Sequence, residues 1–267
     1  MDKMWLVLKE QLDYLSIVFR IAKYENKASY QGHHLGMVWE ILNPLLQVSV
    51  FFLVFGIGFR GGVDVNGVPF IVWLIMGQAS WMLMNSAVQG GSISVKQKLG
   101  LVSKMKFPIS ILPTIIIVTR LKPFYVMMVI SIMGALITGV APTLHWFGAF
   151  YYFIAMTFLL IFMGFLTSTI NILFNDFQFI LTTIMRLIFF TSGVMFPLED
   201  MQGRLGDLLA LNPFHYIVSG FRNSFLYQIT FWDRGRQTLF FWAFTLFIGL
   251  VGSHLHLKFR ARFSDFV

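Results

Sequence analysis

The sequence predicts an all-α membrane protein. It would have six transmembrane helices, an N-terminal interfacial amphipathic helix, and re-entrant outer helices before the last span. Three observations carry this prediction. Only 12% of the residues are charged and 57% are hydrophobic, whereas soluble domains carry about 25% charge. Apolar runs recur along the chain at about the 20-residue length that a helix needs to cross a bilayer. Lys and Arg gather in the segments between alternate runs, the bias expected of cytoplasmic loops.

The first element is read from Met1, Trp5, Leu8, Leu12, Leu15, Phe19 and Ala22, which recur at spacings of three and four. Asp2, Lys3, Lys9, Asp13, Arg20 and Lys23 lie mostly off that stripe. The pattern predicts one amphipathic helix in the inner interface. Lys9, Glu10 and Asp13 interrupt any apolar core that a cleavable signal would need. Arg20 to Pro44 then sets basic, aromatic and amide side chains directly against the apolar run Leu45 to Phe59.

Spans are predicted at residues 38–60, 69–90, 120–140, 147–172, 178–197 and 237–257. Gly61-Gly62 and Asn66-Gly67 mark the turn between the first two. The third span has two readings, because Arg120 and Lys122 interrupt apolar sequence that begins at Ile109, and Pro113 and Pro123 bend it. Residues 109–119 either lie along the interface or open one long bent helix. Ser92 to Phe107 reads as a short basic helix broken at Gly100. The segment 197–236 is too long for a turn and too apolar for a solvated loop. Asn212-Pro213 divides it into two short amphipathic helices that dip into the outer leaflet. The chain is thus one transmembrane domain over 1–267, with a cytoplasmic segment 1–36, a bundle 38–257 and an outer segment 197–236.

Orientation follows from charge. With both termini in the cytoplasm, Lys3, Lys9, Arg20, Lys23, Lys27, Lys96, Lys98, Lys104, Lys106, Lys258, Arg260 and Arg262 face inward, twelve of the 20 basic residues. Arg60, Arg204, Arg222, Arg234 and Arg236 fall outside. The net charge of +8 then reads as attraction to anionic lipid at the plasma membrane rather than to nucleic acid.

The motifs narrow the chemistry. No G-x-x-x-x-G-K-[ST] occurs, so the chain does not cradle ATP phosphates in a P-loop. The absence of cysteine excludes disulfides and thiolate metal sites. His33 and His34 are adjacent, and on a helix they point about 100° apart, which suits interfacial hydrogen bonding better than one metal. Glu40, Glu199, Asp200 and Asp207 lie near membrane faces but form no D-x-D-like pair. That argues against a membrane enzyme of lipid-linked glycan assembly, and no catalytic or metal residue is assigned. Glu40, Arg120, Lys122, Asp176 and Arg186 fall at membrane depth. Each costs roughly 2.5–3.5 kcal/mol at a helix centre, so such groups face a bundle interior or a polar cavity. Arg186 lies well inside the fifth span, whereas Arg120 and Lys122 fit snorkelling at the inner edge equally well.

Arg20, Lys23, Tyr24, Tyr30, Gln31, Leu35, Gly36, Trp39, Asn43 and Pro44 form the pattern R-x-x-K-Y, Y-Q, L-G-x-x-W and N-P. This resembles the permease subunits of type-2 ABC exporters of polysaccharides and polyol phosphates. Leu211 to Leu226, LNPFHYIVSGFRNSFL, resembles the second signature of that family. The runs FRIAKYENKASYQ, SKMKFPISILPT and GVPFIVWLIMGQ look most like those of the wall teichoic acid translocation permeases of Gram-positive bacteria. O-antigen and capsule exporters share the first motif.

The resemblance implies a homodimer with two separate ATPase subunits, which would carry the ATP and magnesium, and no cofactor in this chain. The substrate would be a polymer linked by pyrophosphate to a polyprenyl lipid, flipped from the inner to the outer leaflet. The ATPase-coupling elements would map to Lys23, Tyr24, Asn26, Lys27, Tyr30 and Gln31, and to Lys96, Gln97, Lys98, Leu99 and Gly100. Charge and position make Arg20, Lys23, Lys27, Lys104, Lys106 and Arg186 the candidates for the phosphate head group. The basic residues serve the motor, the pyrophosphate or anionic lipid.

Overall fold

Ten α-helices run through the residues that the computed structural model describes, which are 2–29, 34–59, 61–102, 108–198, 203–260 and 263. Five helical stretches are long and apolar enough to cross a membrane: Gly36–Phe59, Phe70–Lys98, Ile109–Ile137, Leu144–Leu173 and Gly235–Phe259. The predicted all-α membrane architecture is therefore observed.

The N-terminal element is two helices rather than one, α1 (Asp2–Asp13) and α2 (Leu15–Ser29), jointed at Tyr14. Each half docks on a different part of the bundle. Val7 of α1 is buried with Phe162 and Phe165. Val18 and Ala22 of α2 are buried with Val95, Ile111 and Ile115. Trp5, Leu12, Leu15 and Phe19 from the predicted stripe remain exposed. The face that holds these helices to the bundle is thus Val7, Gln11, Val18 and Ala22, and of the predicted stripe only Leu8 and Ala22 join it while Trp5, Leu12, Leu15 and Phe19 turn away.

The first span is α3 (Trp39–Phe51) continued by a π-helical turn, Phe52–Phe59. Only 17% of its most apolar window is buried, against 78% for that of α4 (Phe70–Val102), which places α3 at the rim and α4 at the centre. Between them Asn66 and Gly67 both have positive φ, and Val65 and Val68 exchange backbone hydrogen bonds of 2.9 and 3.0 Å. Paired positive φ values are what a two-residue type I′ turn demands.

The next helix, α4, runs unbroken from Phe70 to Val102. The predicted break at Gly100 does not occur, and the basic segment through Val102 is the end of this one helix. At 1.5 Å per residue α4 is about 50 Å long, well beyond the roughly 30 Å hydrocarbon core. Its C-terminal turns, beyond what a bilayer crossing needs, pack against α2 and α5 (Leu112–Ile137) through Val95. It packs most extensively against α5 and α6 (Gly148–Leu173).

Helix α5 resolves the two readings of the third span in favour of one long helix. A 3-10 turn, Ile109–Ile111, leads into it, and Pro113 sits at its start. There the missing N–H has no intrahelical partner to lose. Arg120 and Lys122 consequently lie inside the helix rather than before it.

The expected fifth span, 178–197, is corrected. Its helix α7 stops at Thr191 after 15 residues, about 22 Å. Gly193 follows with φ +70°, a left-handed conformation that ends a helix and suits glycine. Short helices α8 (Arg204–Ala210) and α9 (Pro213–Arg222) come next. The predicted break at Asn212-Pro213 is present, with Asn212 as the N-cap, its side chain accepting from the Phe214 N–H at 2.9 Å. However, every residue from Phe214 to Arg222 is buried. This piece is a core element between α4 and α6, not an amphipathic surface helix. The last helix, α10 (Gly235–Phe259), packs on α6 and returns to α1.

Candidate basic groove and polar cavity

Arg20, Lys23 and Lys27 are spaced to share one face of α2. The structure places them on one wall of an open groove of about 670 Å³. Tyr24 and Asn26 line the same groove, and Met37, Val118 and Lys122 form the opposite wall. Among the described residues none of Arg20, Lys23 and Lys27 takes part in an ion pair. All three are exposed, so the groove offers three unpaired cations at about one turn of helix from each other.

The two segments assigned to ATPase coupling meet here. Lys98 on the last turns of α4 forms an ion pair with Glu25 of α2. Two turns of chain therefore bind a rigid helix through the bundle to the helix that carries the basic groove. Lys96 donates to the Asn175 side chain at 2.8 Å, tying α4 also to the loop between α6 and α7. Gln97 is exposed beside them. Leu99 and Gly100 continue the helix. Tyr30, Gln31, Lys104 and Lys106 lie outside the described residues.

The same end of the bundle is closed by a second polar cluster. Glu10 accepts from Arg260 at 2.8 Å and from the Ser110 hydroxyl at 2.5 Å. Gln11 accepts from Thr114 at 2.6 Å. Helices α1, α5 and α10 are thereby joined at one end of the molecule.

Glu40, predicted to need a polar partner, has one. It is 4% exposed, and its carboxylate is 2.5 Å from Lys122 Nζ. Lys122 is thus paired rather than only snorkelling. Sequence reasoning missed it as a groove residue, because the groove forms only when α2 and α5 pack together.

Arg186 does not join the other head-group candidates. It lines a separate cavity of about 200 Å³ with Gln47, Asn85, Gln89 and Thr182. The Gln89 amide donates to Asn85 at 2.7 Å, and Thr182 donates to Gln89 at 3.2 Å. Met185, Phe51, Trp81 and Phe189 complete the lining, the three rings having centroids 5.4–5.7 Å apart along the series. Arg186 is exposed and lies at the edge of this open cavity.

The far end of the bundle holds a cation that the charge count placed only on the outer side. Arg222 is 3% exposed at the end of α9. It donates to the carbonyl oxygens of Trp73 at 3.0 Å, Gly193 at 2.6 Å and Val194 at 2.9 Å. Its guanidinium lies 3.3 Å from the centre of the Trp73 ring. A Cβ on Gly77 would stand 1.9 Å from the Arg222 Nη2 atom, so only glycine admits this side chain. The apolar setting of Arg222, GFRNSF, was the available signal of burial. Close by, the Thr230 hydroxyl and backbone N–H hold the Asp233 carboxyl below its usual range.

Among the described residues no group of three or more His, Asp or Glu is placed to hold a metal. His33 lies outside the described residues.

A bundle of long apolar helices, with an extended central helix ion-paired to a basic N-terminal helix, defines a multi-pass membrane protein. The ABC-2 type transporter family model matches residues 17–226, and the chain belongs to this family. The O-antigen export system permease protein RfbA of Myxococcus xanthus is 28% identical over 222 residues, covering 82% of this chain and 84% of that protein. An RfbA protein of the same description from Klebsiella pneumoniae is 22% identical over 264 residues, 98% of this chain and 99% of that protein. Another from the same organism is 21% identical over 225 residues, covering 84% and 85%.

Proposed function

We propose that this chain is the membrane permease of an exporter that moves a lipid-linked polysaccharide of the O-antigen kind across the cell membrane, driven by a separate ATPase. The observation that carries this reading is the joining of the two basic segments by the Lys98–Glu25 pair. A motor pressing on the end of α4 would move the α2 groove and the core of the bundle together. The family assignment supports a transport role, and the names of the relatives support an O-antigen type of polymer over the teichoic acid suggested by the sequence motifs.

In this reading the basic end faces the cytoplasm with both termini. Two copies of the chain pair with two ATPase subunits that hold ATP and magnesium. Arg20, Lys23 and Lys27 attract the pyrophosphate of a polyprenyl carrier, each able to donate to phosphate oxygens. The amides and rings around Arg186 suit sugars, whose hydroxyls hydrogen-bond to amides and whose apolar faces stack on aromatic rings. They form a second station for the polymer rather than part of the head-group site.

Co-purification is the test. The tagged chain, expressed with the P-loop ATPase of its own exporter, is expected to retain that ATPase through detergent extraction. The Lys98→Ala and Glu25→Ala variants should retain less of it. A folded chain that retains none would contradict the reading.

A further inference from the structure

The Lys122–Glu40 pair stands on the wall between two cavities. Lys122 and Met37 line the basic groove. Glu40 lines a smaller cavity of about 170 Å³ with Trp39, Asn43 and Arg120. Lys122 is therefore the one residue among these that belongs to the groove and holds the buried carboxylate. Its ammonium is 2.5 Å from Glu40 and 3.3 Å from the Met37 sulfur. Its side chain is 47% exposed, whereas that of Glu40 is 3% exposed. The cation can swing into the groove, and the anion cannot follow it.

Glu40 also has other sources of stabilisation. It lies near the N-terminal end of the continuous helical stretch Gly36–Phe59, where the helix dipole favours a negative charge. Arg120 shares its cavity. A carboxylate so placed can give up one partner without becoming an isolated buried charge, which would otherwise be costly.

Building on the head-group reading above, we propose that Lys122 is a switching cation. It is paired to Glu40 as seen here, and it transfers to a pyrophosphate ester that enters the groove beside Arg20, Lys23 and Lys27. A pyrophosphate brings more than one negative charge and several acceptor oxygens, so it outcompetes a single carboxylate for the ammonium. Glu40 then turns to Arg120, which lines the same cavity. The transfer releases the tie between α5 and the start of α3, the span with the least of its surface held by the bundle. The hinge is available in the 3-10 turn Gly36–Val38, which begins at a glycine with φ +48°. Head-group occupancy is thereby transmitted to the first membrane helix, with Glu40 as a built-in competitor that sets the affinity of the groove.

The test is equilibrium binding of farnesyl pyrophosphate to the full chain in phosphatidylcholine nanodiscs. Glu40→Gln removes the competitor at nearly constant shape and is expected to tighten binding about tenfold, the scale of one charge-assisted hydrogen bond. Lys122→Gln should weaken binding by a similar factor. The double variant Glu40→Gln/Lys122→Gln should bind like Lys122→Gln alone, because Glu40 acts through Lys122. A merely structural pair would not show that dependence. If Lys122→Gln does not fold, the neutral Glu40→Gln variant still decides.

Three controls separate the possible failures. Lys23→Ala with Lys27→Ala should weaken binding, and unchanged affinity would overturn the groove itself. Weakened binding there, with no tightening in Glu40→Gln, would overturn the switch alone. Inorganic pyrophosphate should compete with the farnesyl ester and follow the same ranking of variants. Competition by phosphatidylglycerol nanodiscs but not by pyrophosphate would assign the groove to bulk anionic lipid and overturn the proposal.

Discussion

The two ends of this bundle use arginine and lysine in opposite ways. At the basic end Arg20, Lys23 and Lys27 are exposed, and among the described residues none is in an ion pair. At the far end Arg222 is buried, donates to three carbonyl oxygens and lies against Trp73. A buried cation is tolerated only when its donors are satisfied, and removing it leaves its acceptors stranded. An exposed cation contributes little to stability and remains available to a partner. Arg222 thus locks the far end, while the α2 cations remain available at a basic end whose other cations, Lys98, Lys122 and Arg260, are paired.

The contrast can be broken or sharpened by substitution, and the largest effect is expected at Arg222. Arg222→Leu would leave the carbonyls of Trp73, Gly193 and Val194 without this donor. It should cost about 3 kcal/mol or more, read as a lower thermal unfolding midpoint of the purified chain. A midpoint unchanged from wild type would remove the lock. Next comes Gly77→Ala, whose Cβ would overlap the Arg222 guanidinium. About 1–3 kcal/mol of overpacking is expected. Combined with Arg222→Leu it should cost less than the sum of the two, since the clash is gone. Additive losses would show that Gly77 matters for another reason.

Smaller stability effects are expected nearer the basic end. Arg186→Leu should leave the unfolding midpoint close to wild type while lowering export severalfold, because the side chain lines a cavity rather than a packed core. Export at the wild-type rate would make that cavity irrelevant to transport. The smallest structural effect belongs to Lys23→Ala with Lys27→Ala. Folding and membrane insertion should be unchanged, and ATP-driven export should fall severalfold. Normal export at normal expression would leave those lysines as lipid anchors only.

The same contrast explains what was legible in the sequence. Long apolar runs gave the five spans, because crossing a bilayer demands about 20 apolar residues whatever the tertiary context. The Asn66-Gly67 turn and the Asn212-Pro213 break were equally legible, since their backbone demands are local. The basic face of α2 was visible because exposed charge needs no partner to be recognised. What escaped were features made by contact. The docking face Val7, Gln11, Val18 and Ala22 competes with a stronger apolar stripe that faces outward. The early end of α7 depends on Gly193 within an otherwise apolar run. The burial of Arg222 was not legible because its three acceptors come from α4 and from the turn after α7, distant in sequence. Lys122 entered the groove only through the packing of α2 on α5.

ATP-driven export tests the central claim most directly. Inverted membrane vesicles carrying this chain and its partner ATPase would be loaded on their outer face with lipid-linked O-antigen-type polymer. The amount of polymer protected from an added glycosidase would then be followed. The account predicts protection that grows with ATP and requires both the chain and the ATPase. Protection that grows equally without the ATPase, or none with both proteins folded and associated, would contradict it.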